Sequence, residues 1–429
     1  MGLVIDAVQQ RFDDLFGPEF GHGKAISTGA LREALRALGN PQEKLPPVIH
    51  VAGTNGKGST IAFMRAIAEE AGLDVHVFSK PHLFRLNERF VVASEEVGDD
   101  TLIAAAERVA SVGAELTQFD AQVAAAFLLF SETPADLVLL ETGMGGRDDS
   151  TNVIEHPAVT VITPIGLDHQ DVLGASLPEI AAHKAGILKR GAPAVIARQQ
   201  DAAREVIEGE AERVGAALHR CGVEWDAYAH AGRLVVQTET RALDLPLPAL
   251  FGAHQIDNAG LACAALLQWR ALRDDAFARG VAGAQWPARL QPLTRGAFSA
   301  PIRAIGGEVW VDGAHNAHGA MALREALNAM QKRRAAPVVA IVGMQARKQM
   351  EGFVGALAGS VDHIIGVPLE APHIAPDMIA AAAQIVGVEG ATALSLEAAM
   401  QNAAQFPAPR VLITGSFLLA AEALRLESA

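Results

Sequence analysis

Residues 50–60, HVAGTNGKGST, set a lysine and three hydroxyls among three glycines. An apolar run precedes them and a helical pattern follows, the setting in which backbone N–H groups and a helix dipole face an anion. Gly53, Gly56 and Gly58 permit the turns, and Lys57 can place an ammonium on the β and γ phosphates of a nucleotide. Ser59 or Thr60 can offer a hydroxyl to Mg2+. The lysine stands two places before the serine rather than directly against it. The competing reading is a glycine-rich turn without a ligand. A nucleotide site of this kind also needs a carboxylate for the metal at the end of a buried strand, and DLVLLE supplies Glu141 there.

The segment 141–154, ETGMGGRDDSTNVI, carries glycines, acids and hydroxyls suited to a loop that approaches a polar ligand. ITPIGLDHQDVLG puts Asp168 and His169 at the exit of another apolar strand, where a neutral imidazole can bind a metal and an adjacent acid can orient it; a solitary histidine is more often structural. Lys184, in HKAGILKRG, falls in an amphipathic segment, and its spacing alone reads as a surface lysine. Further on, VWVDGAHNAHGA and VLITGSF end apolar runs at Asp312, His315 and Asn316, and at Ser416. Both are places where α/β sheets present ligands, and each residue taken singly is equally readable as part of a turn.

The elements that must position these residues follow from periodicity. From residue 47, PPVIHVAG, DVHVFS, ADLVLLET, AVTVITPI and APAVIA alternate with helical stretches such as STIAFMRAIAEEAG. That pattern predicts a mostly parallel sheet with helices on both faces, presenting ligands at the strands' carboxyl ends. After residues 286–298 the alternation restarts with EVWVDGAH, APVVAIVGM, DHIIGVPL and RVLITGS, which predicts a second, smaller Rossmann-like α/β domain. The expected domains are 1–296 and 297–429, with a cleft between them as the default place for a site. A chain of 429 residues that is 50% hydrophobic has material for two cores. The longest apolar runs fall short of a bilayer span and no leader opens the chain, so the expectation is a cytoplasmic protein with no membrane partner. A net charge of −14 argues against broad binding to nucleic acid. Two separated cysteines, Cys221 and Cys263, suggest neither a disulfide framework nor a zinc cluster.

Taken together, these motifs resemble the folylpolyglutamate synthase and dihydrofolate synthase family, a branch of the Mur ligases, over essentially the whole chain. The carriers are GTNGKGS, KPHLFRLNERF, GMGGRDDSTN, the LDH…LG…KAGI spacing in 167–187, Gln255 with Asn258, Arg289, and DGAHN at 312–316. The displaced lysine is that family's own version of the loop. The resemblance implies a P-loop-type first domain and a glutamate-ligase second domain. It implies ATP-dependent amide formation, in which the carboxylate of dihydropteroate or a folate is phosphorylated and L-glutamate then attacks the acyl phosphate. Thr54, Asn55, Gly56, Lys57, Gly58, Ser59 and Thr60 are implied on ATP, joined by Asn258, Arg289 and Asp312. Ser59, Glu141 and His169 are implied on Mg2+, with K+ as a further cation, and Lys184 as a carbamylated lysine near the metal. The catalytic set is Lys57, His169 and Lys184. His315 and Ser416 are implied on glutamate, and Ile26, Ser27, Thr28, Thr117, Gln118, Phe119, Asp120, Asp148, Asp149 and Ser150 on the pterin side. A monomer is expected, with only small-molecule partners.

Two positions depart from the family pattern. Lys80 stands where a serine near magnesium is usual, and Asp120 follows Phe119 where glutamate is usual. Lys80 can repel a metal or take phosphate in its place, and the shorter acid can alter pterin contacts. Rival readings are a ligase for a non-folate carboxylate and a nucleotide-binding homologue without catalysis.

Overall fold

The computed structural model describes residues 6–18 and 28–429; the expectations at Ile26 and Ser27 lie outside them. The chain divides into two compact units, Met1–Ala249 with Ile256–Gln285 and Leu250–Gln255 with Trp286–Ala429.

In the first unit the sheet comprises β1 (Val48–Ala52), β2 (Val75–Phe78), β3 (Phe90–Val92), β4 (Glu95–Glu96), β5 (Leu137–Glu141), β6 (Val159–Ile162), β7 (Pro193–Ile196) and β8 (Ala217–Arg220). Its spatial order is β4-β3-β2-β5-β1-β6-β7-β8. From β2 to β8 along that order every neighbouring pair is parallel, and β3 with β4 forms an antiparallel ribbon at one edge. Strands β1 and β5 are buried along their full length, as strands covered on both faces must be. On one face Val48, Val138 and Leu140 join a core with Phe12, Leu31, Leu102 and Phe127 from the flanking helices. Toward β6 and β7, Ile162 and Ile196 pack on Ile180 and Ile207.

A separate antiparallel sheet of β9 (Trp225–His230), β10 (Arg233–Thr238) and β11 (Ala242–Pro246) follows. Sequence reading did not anticipate it, because its strands expose one face and carry polar residues at alternate positions rather than a continuous apolar run.

The second unit contains β12 (Gln291–Leu293), β13 (Glu308–Val311), β14 (Val338–Val342), β15 (His363–Gly366), β16 (Glu389–Thr392) and β17 (Arg410–Thr414), in the order β12-β13-β17-β14-β15-β16. All its pairs are parallel except β12 with β13. This is the predicted second α/β layer, with two short edge strands added. Among the described residues no helix is long and apolar enough to cross a membrane.

Candidate active site

Strand β1 ends at Ala52, and the helix Lys57–Glu70 begins four residues after Gly53. The turn between them depends on glycine twice. Gly53 has φ 142° and Gly56 φ 91°, and a Cβ would stand 1.8 Å from Thr163 Oγ1 at the first and 2.5 Å from Asn258 Oδ1 at the second. Asn258, widely separated in sequence, is thus seated directly on the loop. The loop is also tied to the segment leaving β6. The amides of Thr54 and Asn55 donate to Pro164 O at 3.1 and 3.4 Å. The Thr54 hydroxyl donates to Gly166 O at 3.0 Å and accepts from Gly166 N at 3.1 Å.

Two lysines converge on this turn. Lys57 Nζ donates to Gly53 O and Thr54 O, each at 3.2 Å, and lies 3.8 Å from Glu141 Oε1. Lys184, far from the surface position its spacing suggested, is 4% exposed and donates from Nζ to Gly53 O at 2.8 Å. Burial, reinforced by the charge of Lys57 and opposed by Asp168 and Asp149, lowers the Lys184 pKa from 10.5 to about 7. A neutral, nucleophilic amine is therefore available near neutral pH.

Parallel pairing sets Glu141 opposite Val51, just before the loop, with 3% of its surface exposed. Its Oε2 accepts the Lys80 amide at 3.2 Å, while the Lys80 ammonium lies 4.6 Å over the Phe119 ring. Lys80 thus meets Glu141 through its backbone and Phe119 through its charge. His169 begins a short helix with left-handed backbone, φ 51°. Asp168 accepts the His169 amide at 2.9 Å, and its second oxygen stands 4.0 Å from the ring Nε2. The acid therefore holds the main chain of His169, and that ring separation exceeds a hydrogen bond. Among the described residues no three His, Cys, Asp or Glu side chains cluster to hold a metal unaided. The donor types among the candidates, the Glu141 carboxylate, the Ser59 and Thr60 hydroxyls and the His169 imidazole, suit Mg2+, which takes one or two carboxylates and completes its shell with phosphate and water. The Thr60 hydroxyl is buried with no partner among the described residues.

The loop after Glu141 is clasped by its own acids. Asp149 accepts Met144 N at 2.7 Å on one oxygen, and on the other Thr151 N at 3.0 Å and Thr151 Oγ1 at 2.6 Å. Asp120 accepts Thr117 N and Oγ1 at 3.0 and 2.6 Å and Ser150 Oγ at 2.6 Å, pinning the loop to the start of the helix Gln118–Glu132. Thr117, Asp120 and Ser150 therefore form one cluster. Gln118 turns from it to Asp13 Oδ1 at 2.6 Å and Gly17 O at 2.9 Å. Asp148 is half-exposed between Arg147 and His183, and Thr28 precedes the helix Gly29–Ala37 without a side-chain cap.

In the second unit the candidates gather at the carboxyl ends of β13 and β17. Asp312 accepts Leu290 N and Ala314 N, both at 2.7 Å; burial raises its pKa, with Arg289 opposing. The Arg289 guanidinium lies 4.7 Å over Phe417, and its flanking residues, Ala288 and Leu290, have φ 56° and 44°. His315 Nδ1 is 2.9 Å from Gly313 O. Asn316 and Ser416 cap the helices Ala317–Arg333 and Phe417–Ser428, accepting from Gly319 N at 2.8 Å and Leu419 N at 3.1 Å.

Sequence reading passed over Thr163, which packs on Gly53, Thr151 within the acidic loop, and His50, whose ring nitrogen contacts the Thr151 hydroxyl. The available signal was a histidine in the middle of a strand otherwise made of Val, Ile and Ala.

The chain is similar to known proteins along most of its length. Residues 51–266 match the Mur ligase middle domain, and 301–417 match the Mur ligase glutamate ligase domain. The dihydrofolate synthase/folylpolyglutamate synthase of Bacillus subtilis strain 168 is 37% identical over 319 residues, 70% of this chain and 71% of that one. E. coli FolC in complex with DHPP and ADP superposes with a TM-score of 0.87 at 30% identity, covering 98% of this chain and 97% of that one. The bifunctional folylpolyglutamate synthase/dihydrofolate synthase of Yersinia pestis with AMPPNP and Mn ion gives 0.87 at 29% identity, covering 98% of each. The chain belongs to the folylpolyglutamate synthase/dihydrofolate synthase family of the Mur ligases.

Proposed function

We propose that this chain joins L-glutamate to the carboxylate of dihydropteroate or a folate, with ATP as phosphoryl donor. The observation that carries this reading is the convergence of Lys57, Lys184 and Glu141 on one glycine-shaped turn at a helix start. A carboxylate oxygen attacks the γ-phosphorus, the bond to the bridging oxygen breaks, and ADP leaves an acyl phosphate; the neutral amine of glutamate then attacks the acyl carbon and phosphate departs, with one proton lost. A carboxylate is a poor acyl donor because its leaving oxide is bad, and phosphorylation supplies the leaving group.

Lys57 moves from the loop carbonyls to the β and γ oxygens, where its charge offsets the charge that develops in the transition state. Residues 54–60, with Asn258, Arg289 and Asp312, hold the nucleotide. Mg2+, held by Glu141, Ser59 and His169, supplies electrostatic stabilisation of the transferring phosphoryl group when bound. The neutral amine of Lys184 adds CO2 and loses a proton, giving a carbamate whose negative charge suits a metal site; the lowered pKa supports this. K+ serves as a further cation. The pterin side lies at Thr117–Asp120 and the acidic loop, and His315 and Ser416 hold glutamate, supported by the glutamate ligase match at 301–417. The functional domains are 1–296 for nucleotide and pterin and 297–429 for glutamate.

Purified protein incubated with ATP, Mg2+ and glutamate, and offered dihydropteroate or a reduced folate separately, is expected to release ADP only with an acceptor and to yield a product heavier by one glutamate. Acceptor-independent phosphate release with no glutamylated product would sink this reading.

A further inference from the structure

The Thr151 hydroxyl has one proton, and it is engaged by Asp149 Oδ1 at 2.6 Å. The 2.8 Å contact between Thr151 Oγ1 and His50 Nε2 must then run the other way, with the imidazole N–H donating. This fixes the tautomer. Nε2 carries the proton, and Nδ1 is a bare acceptor that is buried with no partner among the described residues. An unpaired buried acceptor is destabilising, and a valine in the same strand would avoid the penalty. Burial, with the charge of Lys189 adding to it, lowers the His50 pKa to about 3, so the ring stays neutral at physiological pH.

The chain of bonds leads to functional ground at both ends. His50 lies in β1, three residues before Gly53, and pairs in register with Leu140, the neighbour of Glu141. Asp149 receives Thr151 and also holds Met144 N at 2.7 Å, so one carboxylate spans the loop that leaves Glu141. Asp149 also acts electrostatically on Lys184.

We propose that His50 is a positioning residue for ligation: through Thr151 and Asp149 it locks the loop 142–152 to the strand that feeds the phosphate loop, and so governs turnover rather than affinity for ATP or glutamate. This rests on the ligase reading above. His50→Leu removes the donor, whereas His50→Gln keeps an N–H that can reach Thr151. The expected result for His50→Leu is a kcat lower by about tenfold with KM for ATP and glutamate nearly unchanged, as for other groups that orient a reacting shell. His50→Gln should recover most of that loss, and His50→Leu combined with Thr151→Val should be no slower than Thr151→Val alone, since both act on one chain of bonds. Long-range proton–nitrogen NMR of histidine-labelled wild-type protein should show the Nε2–H tautomer at His50. The proposal is overturned by an Nδ1–H tautomer, by Gln and Leu variants equally slow with intact melting, or by losses that multiply in the double variant. Should His50→Leu not fold, His50→Gln and the tautomer decide. A wild type that ligates nothing sinks the ligase reading, and the tautomer then decides the bonding chain by itself.

Discussion

At the carboxyl end of the first sheet two lysines lean on one carbonyl oxygen, Gly53 O, with a buried glutamate beside them. At the carboxyl end of the second sheet, Asn316 and Ser416 cap helices, and Asp312 bridges the amides of Leu290 and Ala314. The first arrangement concentrates charge that the fold does not need, and which a phosphate would relieve. The second uses each polar side chain to finish a backbone. Substitutions in the first unit should therefore remove chemistry and leave the fold, whereas those in the second should weaken both modestly.

The sharpest test of that contrast is Lys57→Ala and Glu141→Ala. Each is expected to lower turnover by about a thousandfold, the scale on which lost electrostatic groups act, while calorimetric melting stays cooperative. Loss of cooperativity in either would break the comparison by giving the charged cluster a structural duty.

Lys184 gives the next largest effect. The unfolded chain keeps its proton up to the ordinary 10.5 and the folded chain loses it at about 7, so stability rises with pH across that window and is lost as pH falls through the folded value. In CO2-free buffer the unfolding free energy at about pH 9 should exceed that at about pH 7 by roughly 2 kcal/mol, and Lys184→Met should flatten the difference. Isotope-labelled bicarbonate should add a carbamate carbonyl resonance in wild type and none in the variant.

Ser416→Ala removes a cap and is expected to cost about 1 kcal/mol in denaturant unfolding, together with a raised KM for glutamate. A stability loss without any change in KM would leave Ser416 as a cap alone. The smallest effect belongs to Ala288→Gly, which relieves left-handed backbone at φ 56° and should stabilise by about 1 kcal/mol or less, because glycine's added freedom in the unfolded chain offsets part of the gain.

How legible the molecule was from sequence divides along similar lines. Strands buried on both faces, such as β1 and β5, announce themselves as apolar runs, and the glycine-rich turn with its lysine is local enough to read directly. Lys184 was not, because its partner, Gly53 O, lies 131 residues away and helical spacing says nothing about which distant turn a helix end will meet. Asp148 and Asp149 look interchangeable in sequence; one is half-exposed and the other gathers three donors within its own loop. The antiparallel sheet of β9–β11 escaped because a half-exposed strand offers only alternation, which short segments carry weakly. Asp120, written off-pattern for its family, still caps its helix and holds Ser150, so the shorter acid completes the clasp.

The Thr54 hydroxyl, bonded in both directions to Gly166, has a kinetic consequence. Together with the Pro164 contacts it makes the turn and the exit of β6 open and close as one unit, so their amides should share a single opening free energy in hydrogen exchange. A cradle ordered when the chain folds has no ordering step left when nucleotide arrives, and the arrival rate should follow diffusion and ionic strength instead of loop motion.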